Sequence, residues 1–143
     1  MHQRLYREIY EKNWSDKEMA GKSDKTIKSI KKYILELERN KIPIKKAILF
    51  GSYAKGLARP ESDIDVALIS NVFSGDRFKD RQRIIPLRRK IDSRIEPLPF
   101  TPEDFDNGGI LAEEIKKNGI LIFQKWSVGP GVKPALLTKE DER

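Results

Sequence analysis

The sequence predicts an α/β domain in which helices pack on one face of a small mixed sheet of three to four strands. Residues 47–50 form a short apolar run with the length of a buried strand, and residues 63–66 alternate polar and apolar side chains with the period of two that is typical of strands. Segments before and after them carry apolar residues three and four positions apart, which indicates amphipathic helices. The predicted order is helix, strand, turn, strand, helix, strand, helix, strand.

The composition restricts the chemistry that the chain can perform. Its 143 residues are enough for one domain with a modest core, and the formal net charge is +7. Cysteine is absent, which excludes disulfides, thiolate nucleophiles and zinc–thiolate sites, and the single histidine, His2, lies near the N-terminus. Carboxylates are therefore the expected catalytic ligands. No apolar run approaches the ~18 residues of a membrane span and no signal-peptide pattern is present, so we expect a cytoplasmic protein.

Three regions are predicted along the chain. Residues 1–22 are polar with apolar residues at helical spacing, which suits either an interaction arm or, more commonly for a terminus, a poorly ordered segment. Residues 23–126 are predicted to form the domain, and residues 127–143 a tail. The first helix of the domain is expected to begin at Ser23 or Asp24 and to end at about Asn40. Its apolar stripe consists of Ile27, Ile30, Ile34 and Leu37.

A glycine–serine turn follows the first predicted strand. Gly51 lets the chain turn with positive φ and come close to a ligand. If Ser52 opens a short helix, its hydroxyl and the free amides of the first turn face a phosphate. Gly56 is expected to end this single turn, and Lys55 is either a further phosphate ligand or an ordinary solvated lysine. Ser62, just before the next strand, completes the candidate nucleotide-binding residues.

Two carboxylates lie on one face of the second predicted strand. Asp63 and Asp65 are two positions apart, which places their Cβ atoms roughly 6–7 Å from each other. Such a pair repels itself unless a cation lies between the carboxylates. A hard divalent ion such as Mg²⁺ takes oxygen ligands and bridges carboxylates to a substrate phosphate. The turn and the strand together therefore predict a nucleoside triphosphate site.

Gly51-Ser52, ten intervening residues and Asp63-x-Asp65 resemble the GSx₁₀DxD signature of the DNA-polymerase-β-like nucleotidyltransferases. The resemblance covers roughly residues 45–125 and is strongest to the minimal nucleotidyltransferases, the single-domain branch often paired with HEPN-domain proteins. It implies the polymerase-β-like core, two Mg²⁺ ions (with Mn²⁺ as the alternative) and ATP or another nucleoside triphosphate as donor. It also implies transfer of AMP to a hydroxyl on a protein partner, a HEPN-type toxin for which this chain would be the antitoxin.

The resemblance further implies a third acidic residue on the strand beside the Asp-x-Asp strand. Glu96, within the predicted strand at 93–100, is the candidate, so that Asp63, Asp65 and Glu96 form the catalytic and metal-binding set. Pro97 and Pro99 cannot donate to a sheet ladder, so this strand is expected to be irregular or to lie at an edge. Asp92 is the alternative third carboxylate.

A strongly basic segment separates the second and third predicted strands. Residues 77–94 contain eight basic and two acidic residues and read as a helix that Pro86 breaks or kinks. The charge suits guidance of a polyphosphate or of an acidic partner, or simply a solvated helix face. Nucleic acid is a less favoured partner, because no aromatic residues interleave with the cations to stack on bases. A helix after Thr101 and a short apolar strand at 120–123 complete the predicted domain.

Two other functions compete with the transferase. The first is a non-catalytic nucleotide-binding or protein-interaction module that neutralises a partner by contact. Pure binding does not require a self-repelling acidic pair, which favours the enzyme. The second is a transferase acting on a small molecule such as an antibiotic, which 143 residues leave little room to bind in a dedicated pocket.

Overall fold

The computed structural model describes residues 24–125, so the predicted arm at 1–22 and tail at 127–143 lie outside the described residues. The helices of this part are α1 (Asp24–Arg39), α2 (Gly51–Lys55), α3 (Arg77–Ile84), a 3₁₀ helix (Ile85–Arg88), α4 (Pro102–Asp106) and α5 (Gly109–Asn118). The strands are β1 (Lys46–Phe50), β2 (Ile64–Ile69), β3 (Ile95–Phe100) and β4 (Ile120–Gln124). Within this range, no helix has the length and the apolar composition needed to cross a lipid bilayer.

The four strands form one mixed sheet in the order β3-β2-β1-β4. β1 runs antiparallel to both of its neighbours, whereas β2 and β3 are parallel. The short connection from β1 through α2 to β2 and the longer crossover from β2 through α3 to β3 account for these directions. The predicted fold class, a small mixed sheet with helices, is confirmed.

The first face of the sheet carries α1 and α3. Buried residues of α1 pack against the sheet and against Ile84 of α3, and the buried Tyr33 hydroxyl donates a hydrogen bond of 2.7 Å to the Ile84 carbonyl. Burial raises the pKa of Tyr33 well above its usual range. The sheet residues of this cluster include Ala47, Leu49, Ile64, Val66, Leu68, Ile95 and Ile122.

The second face is also covered, which corrects the expectation that helices pack on one face only. Phe105 of α4 and Ala112 and Ile115 of α5 pack against this face. The sheet residues that they cover are Ile48, Ala67, Ile69 and Phe100. The apolar runs of β1 and β2 place hydrophobic side chains on both sides of the sheet, so both sides must be shielded from water.

β3 lies at the edge of the sheet, as its prolines predict. The carbonyls of Arg94 and Phe100 accept hydrogen bonds from the backbone of β2 and of the residue that follows it. Since backbone groups alternate sides along a strand, the positions of Pro97 and Pro99 face away from β2. Neither proline therefore removes a donor from the ladder.

The basic segment after β2 forms two short helices instead of one. Asp76 caps α3 by accepting a hydrogen bond from the amide of Lys79, and α3 ends at Ile84. The 3₁₀ helix then begins with Pro86 near its N-terminus, where a missing N–H costs little. The break expected at Pro86 is confirmed.

Asp92 ties the segment before β3 to α1. Arg94 grips its carboxylate with Nε at 3.0 Å and Nη2 at 2.8 Å, and the Ser29 hydroxyl donates to the same group at 2.9 Å. These hydrogen bonds, above all those from the Arg94 side chain, lower the pKa of Asp92 from 3.8 to about 2. Asp92 thus has a structural role in fastening α1 to the rest of the domain.

We expect Asp92→Asn to lower the free energy of unfolding at pH 7 by about 1–2 kcal/mol, because the folded state favours the ionised carboxylate. The contribution of a carboxylate whose pKa is lowered on folding is complete above the unfolded pKa near 4 and disappears as the pH falls through the folded pKa near 2. Urea unfolding of both proteins between pH 7 and pH 2 should therefore show a stability gap that closes only below about pH 4. A gap independent of pH would contradict this role.

Candidate functional site

The turn between β1 and α2 lies directly against Asp65. Phe50, the last residue of β1, pairs with Asp65 of β2, and Gly51 follows with φ of 71°. A Cβ atom added to Gly51 would overlap Oδ2 of Asp65. Glycine is therefore required at this position for two reasons, the left-handed backbone and the close approach of the carboxylate.

The helix α2 presents an uncapped N-terminus at this turn. Phe50 occupies its N-cap position, so no side chain satisfies the first-turn amides. The Ser52 hydroxyl is partly exposed and forms no hydrogen bond with the described residues. At the other end, Gly56 (φ of 75°) closes the helix with its amide on the Ser52 and Tyr53 carbonyls, which confirms the predicted single helical turn. Free amides and a free hydroxyl at one turn suit a phosphate group.

The acidic pair occupies the start of β2. Asp63 is exposed one residue before the strand, and Asp65 is half-buried within it. Burial raises the pKa of Asp65 above its usual range, and the negative charges of Asp63 and Glu96 raise that pKa further. Within residues 24–125, neither aspartate side chain accepts a hydrogen bond or forms an ion pair. This part of the protein therefore holds uncompensated negative charge, which fits a bound cation.

Glu96 lies opposite Asp65 in the parallel register of β2 and β3, but its carboxylate is not free. Arg81 Nη2 lies 3.2 Å from Oε2, and Arg88 Nη1 lies 3.0 Å from Oε1. The same two side chains donate to the free edge of β3, Arg81 to the Pro97 carbonyl at 2.9 Å and Arg88 to the Ile95 carbonyl at 2.6 Å. We call this arrangement of Arg81, Arg88 and Glu96 the arginine clamp.

The clamp was not predicted from the sequence. The two arginines are 15 and 8 residues from Glu96, and nothing in their spacing separates them from the other cations of the basic segment. A signal was nevertheless present. The prolines predict an edge strand, and the outward backbone carbonyls of an edge strand need hydrogen-bond donors. The basic segment before the strand is the nearest source of such donors in the sequence.

Asp63 and Asp65 are the two carboxylates of the candidate set that are open to Mg²⁺, because the arginine clamp holds Glu96. No group of three or more histidine, cysteine, aspartate or glutamate residues is positioned to hold a metal anywhere in residues 24–125. Mg²⁺ in nucleotide sites is commonly bound through one or two carboxylates, with the remaining ligands supplied by substrate phosphates and water. Asp63 and Asp65 supply two such carboxylates, and the adjacent helix N-terminus has no side-chain cap on its amides.

The remaining predicted residues surround the site less directly. The Ser62 hydroxyl accepts a hydrogen bond of 2.8 Å from the Arg59 amide, so it stabilises the loop that leads into β2. Lys55 is exposed at the end of α2. Arg94 bonds the Tyr53 hydroxyl at 3.0 Å and the Pro60 carbonyl at 2.7 Å, and so joins α2 and this loop to the start of β3. The alternative third carboxylate, Asp92, is occupied by Arg94 as described above.

Comparison with known families agrees with this geometry. Residues 27–142 match the model of the nucleotidyltransferase domain, which spans most of the chain. The chain belongs to the nucleotidyltransferase domain family. Members of this family generally use divalent metals. No curated protein sequence is significantly similar to this nucleotidyltransferase domain.

Two solved structures are similar to this family member. A candidate nucleotidyltransferase from Sulfolobus solfataricus shares 17% sequence identity with it, covering 71% of this chain and 89% of that chain with a TM-score of 0.50. A toxin–antitoxin structure with AMP-PNP shares 22% identity, covering 78% of this chain and 83% of that chain with a TM-score of 0.43. The first of these supports the assigned fold.

Gly51→Ala and Gly56→Ala form a matched pair that isolates the contact with Asp65. Both glycines have positive φ, so both substitutions should cost about 1 kcal/mol of stability through backbone strain. A Cβ added at position 51 would overlap Asp65. A Cβ added at position 56 would have no atom within 4 Å apart from those of the adjacent residues. We therefore expect Gly51→Ala to weaken Mg-ATP binding, measured by isothermal titration calorimetry, by at least about tenfold, which corresponds to roughly 1.4 kcal/mol.

In the same titration, Gly56→Ala should bind within about twofold of the wild type, a free-energy difference below roughly 0.5 kcal/mol. Equal losses in both variants would mean that backbone strain alone acts and that the Gly51 turn is not part of the site.

Proposed function

We propose that this nucleotidyltransferase transfers AMP from ATP to a hydroxyl of a partner protein, with Mg²⁺ held by Asp63 and Asp65. The observation that carries the proposal is the pair Asp63 and Asp65, which have no partner among residues 24–125 and of which Asp65 packs against the Gly51 turn. The repulsion between the two carboxylates favours a bound cation, and the free amides at the N-terminus of α2 favour a bound anion. A metal–nucleotide complex satisfies both demands at once.

Each residue of the site has a separate role in this proposal. Ser52 and the first-turn amides of α2 bind the β- and γ-phosphates, and the lack of a Cβ at Gly51 allows Asp65 to stay close to them. When bound, Mg²⁺ neutralises charge on the phosphates and lowers the pKa of the acceptor hydroxyl. The chain has a single histidine, His2, and the proposed activation of the hydroxyl uses the metal instead of a histidine base. Phosphoryl-transfer catalysis rests mainly on positioning and electrostatics, which these groups supply.

Glu96 is proposed as the third carboxylate. Its support is its position opposite Asp65 and the effect of its charge on the pKa of that residue. The clamp holds both of its oxygens, so its orientation is set before any substrate arrives. In this role Glu96 would help to hold a metal ion on the acceptor side of the site, and the metal would stabilise the negative charge that develops on the acceptor oxygen only in the transition state.

The acceptor is proposed to be a hydroxyl, such as that of a tyrosine, on a HEPN-type toxin, so that the chain acts as an antitoxin. This part rests on the resemblance of the Gly51-Ser52 and Asp63-x-Asp65 motif to the HEPN-paired branch. ATP is the proposed donor on the same ground. Lys55 and Ser62 are proposed as additional contacts of the nucleotide.

One observation favours a second candidate, a nucleotide-binding module that does not catalyse transfer. Both oxygens of Glu96 are already occupied by arginines, so this carboxylate could serve only to hold the edge of the sheet. A module of this kind would neutralise its partner by contact and would retain Mg-ATP binding.

The metal role of Asp65 predicts that function and stability respond differently to its removal. Asp65→Asn should lower transfer of labelled AMP to the partner by at least about 100-fold in single-turnover assays. The raised pKa means that the folded state disfavours the ionised carboxylate, so the uncharged variant should be at least as stable as the wild type at pH 7. Near-wild-type turnover in Asp65→Asn would exclude Asp65 as a ligand.

Glu96→Gln separates the enzyme from the binding module. In an enzyme the third carboxylate acts mainly in the transition state, so the transfer rate should fall by about 100-fold while the Kd of Mg-ATP changes by less than about threefold. Glu61→Gln, an exposed carboxylate in the loop before β2, is the matched control and should behave as the wild type. If the wild type binds Mg-ATP but transfers nothing to the protein encoded beside it, the non-catalytic module is the correct function.

A further inference from the structure

An apolar groove runs along the outer side of α3 and the 3₁₀ helix. It is lined by Phe78, Arg81, Gln82, Ile85 and Pro86 and encloses about 370 Å³. These positions are related by helical spacings of three, four, seven and eight residues, so they share one face. The buried residues of α3, Asp80 and Ile84, lie elsewhere on the helix. The groove therefore lies on the surface of the helix, on a different face from the one that packs into the core.

Phe78 makes this surface unusual. The residue is 71% exposed, although it stands beside two other nonpolar groups of the groove, Ile85 and Pro86. Covering a phenylalanine side chain is favourable because its large apolar surface is removed from water. An exposed aromatic ring at the mouth of an apolar groove is a typical anchor position of a protein interface.

The groove lies on a strongly cationic segment of the chain, residues 77–90. The exposed basic residues of this segment are Arg77, Lys79, Arg83, Arg89 and Lys90. Asp80 does not neutralise them, because it is buried and accepts hydrogen bonds from the Ser74 amide and hydroxyl and from the Gly75 amide. Glu96 is likewise occupied by Arg81 and Arg88. The groove is thus part of a segment with an excess of exposed positive charge, even when the exposed Asp76 at the start of α3 is included.

We propose that this groove is the docking site for an acidic amphipathic segment of a partner protein. Apolar side chains of that segment would cover Phe78, Ile85 and Pro86, and its carboxylates would face the surrounding cations. Charge complementarity with the basic segment selects an acidic partner, and the apolar groups of the lining, Phe78, Ile85 and Pro86, select a protein. A nucleic acid would use the cations, but a single ring beside an isoleucine and a proline is not a platform for successive bases.

The groove adjoins the candidate site through one residue. Arg81 lines the groove and also contacts Glu96 and the edge of β3. A partner bound there lies next to the carboxylate proposed for the acceptor side. The inference nevertheless goes beyond the proposed function, because the groove would bind its partner even if no nucleotide were transferred.

The test uses the full chain and a fluorescein-labelled helical peptide of 16 residues, with leucines along one face and glutamates elsewhere. Fluorescence anisotropy gives its Kd for the wild type and for Phe78→Ser. The matched control is Ile110→Ser, because Ile110 is also a large exposed apolar residue, at 91%, but lies on α5. We expect Phe78→Ser to weaken binding by about tenfold and Ile110→Ser by less than about twofold.

A second pair of variants tests the charge. Lys79→Glu should weaken binding of the peptide by at least about threefold. Lys117→Glu, the same change on α5, should weaken it by less than about 1.7-fold. The Kd of Mg-ATP should be the same for Phe78→Ser as for the wild type. Loss of peptide binding with intact Mg-ATP binding therefore concerns the groove alone and leaves the proposed function unaffected.

Several results would overturn the inference. Absence of peptide binding by the wild type, or equal binding of polyglutamate, would mean that no apolar docking site exists. Tighter binding of a single-stranded oligonucleotide with the same dependence on Phe78 would assign the groove to nucleic acid. Displacement of the probe by a synthetic peptide of residues 1–23 would assign it to the chain itself. A dimer that Phe78→Ser dissociates would assign it to a second copy.

Discussion

The contact between the bare Cα of Gly51 and the carboxylate of Asp65 is the constraint on which the site depends. It arises from the register of β1 and β2, which pairs Phe50 with Asp65 and so brings the following turn onto the acidic strand. Any other residue at position 51 would meet Oδ2 of Asp65. One pairing register therefore determines the distance between the place where phosphates are expected and the place where a metal is expected. The core on both faces of the sheet maintains that register.

The carboxylates around the site fall into two groups, those with arginine partners and those without. Asp63 and Asp65 stand without partners in the described part of the chain, whereas Glu96 and Asp92 are both held by arginines. Carboxylates with arginine partners hold elements together, and carboxylates without partners are left for a ligand. The residues without partners in this part of the chain are the two aspartates of the Asp63-x-Asp65 motif. The negative charge of Glu96 can lie beside Asp63 and Asp65 because the guanidinium groups of Arg81 and Arg88 compensate it.

Much of this arrangement could be predicted from the sequence, because it depends on local patterns. The stripe of α1, the alternation of β2, the turn at Gly51 and the break at Pro86 are each encoded by neighbouring residues. The arginine clamp was missed because its members are separated in sequence and meet only after β3 has paired with β2. Helical structure after Thr101 was predicted, but its place on the second face of the sheet was missed for a related reason. Ala67 and Ile69 show that the strand is apolar on both sides, but which helix covers a side depends on the path of the chain.

The two prolines of β3 and the clamp together make one side of the sheet unreceptive to another strand. Pro97 and Pro99 offer no N–H, and the outward carbonyls of Ile95 and Pro97 already accept hydrogen bonds from Arg88 and Arg81. A foreign β-strand would thus find few donors and acceptors with which to extend the ladder. Uncontrolled growth by edge-to-edge pairing, the first step of many aggregates, is suppressed at this edge without a covering helix. A partner that binds at this edge therefore has to contact side chains. Aggregation through backbone hydrogen bonds does not provide such contacts.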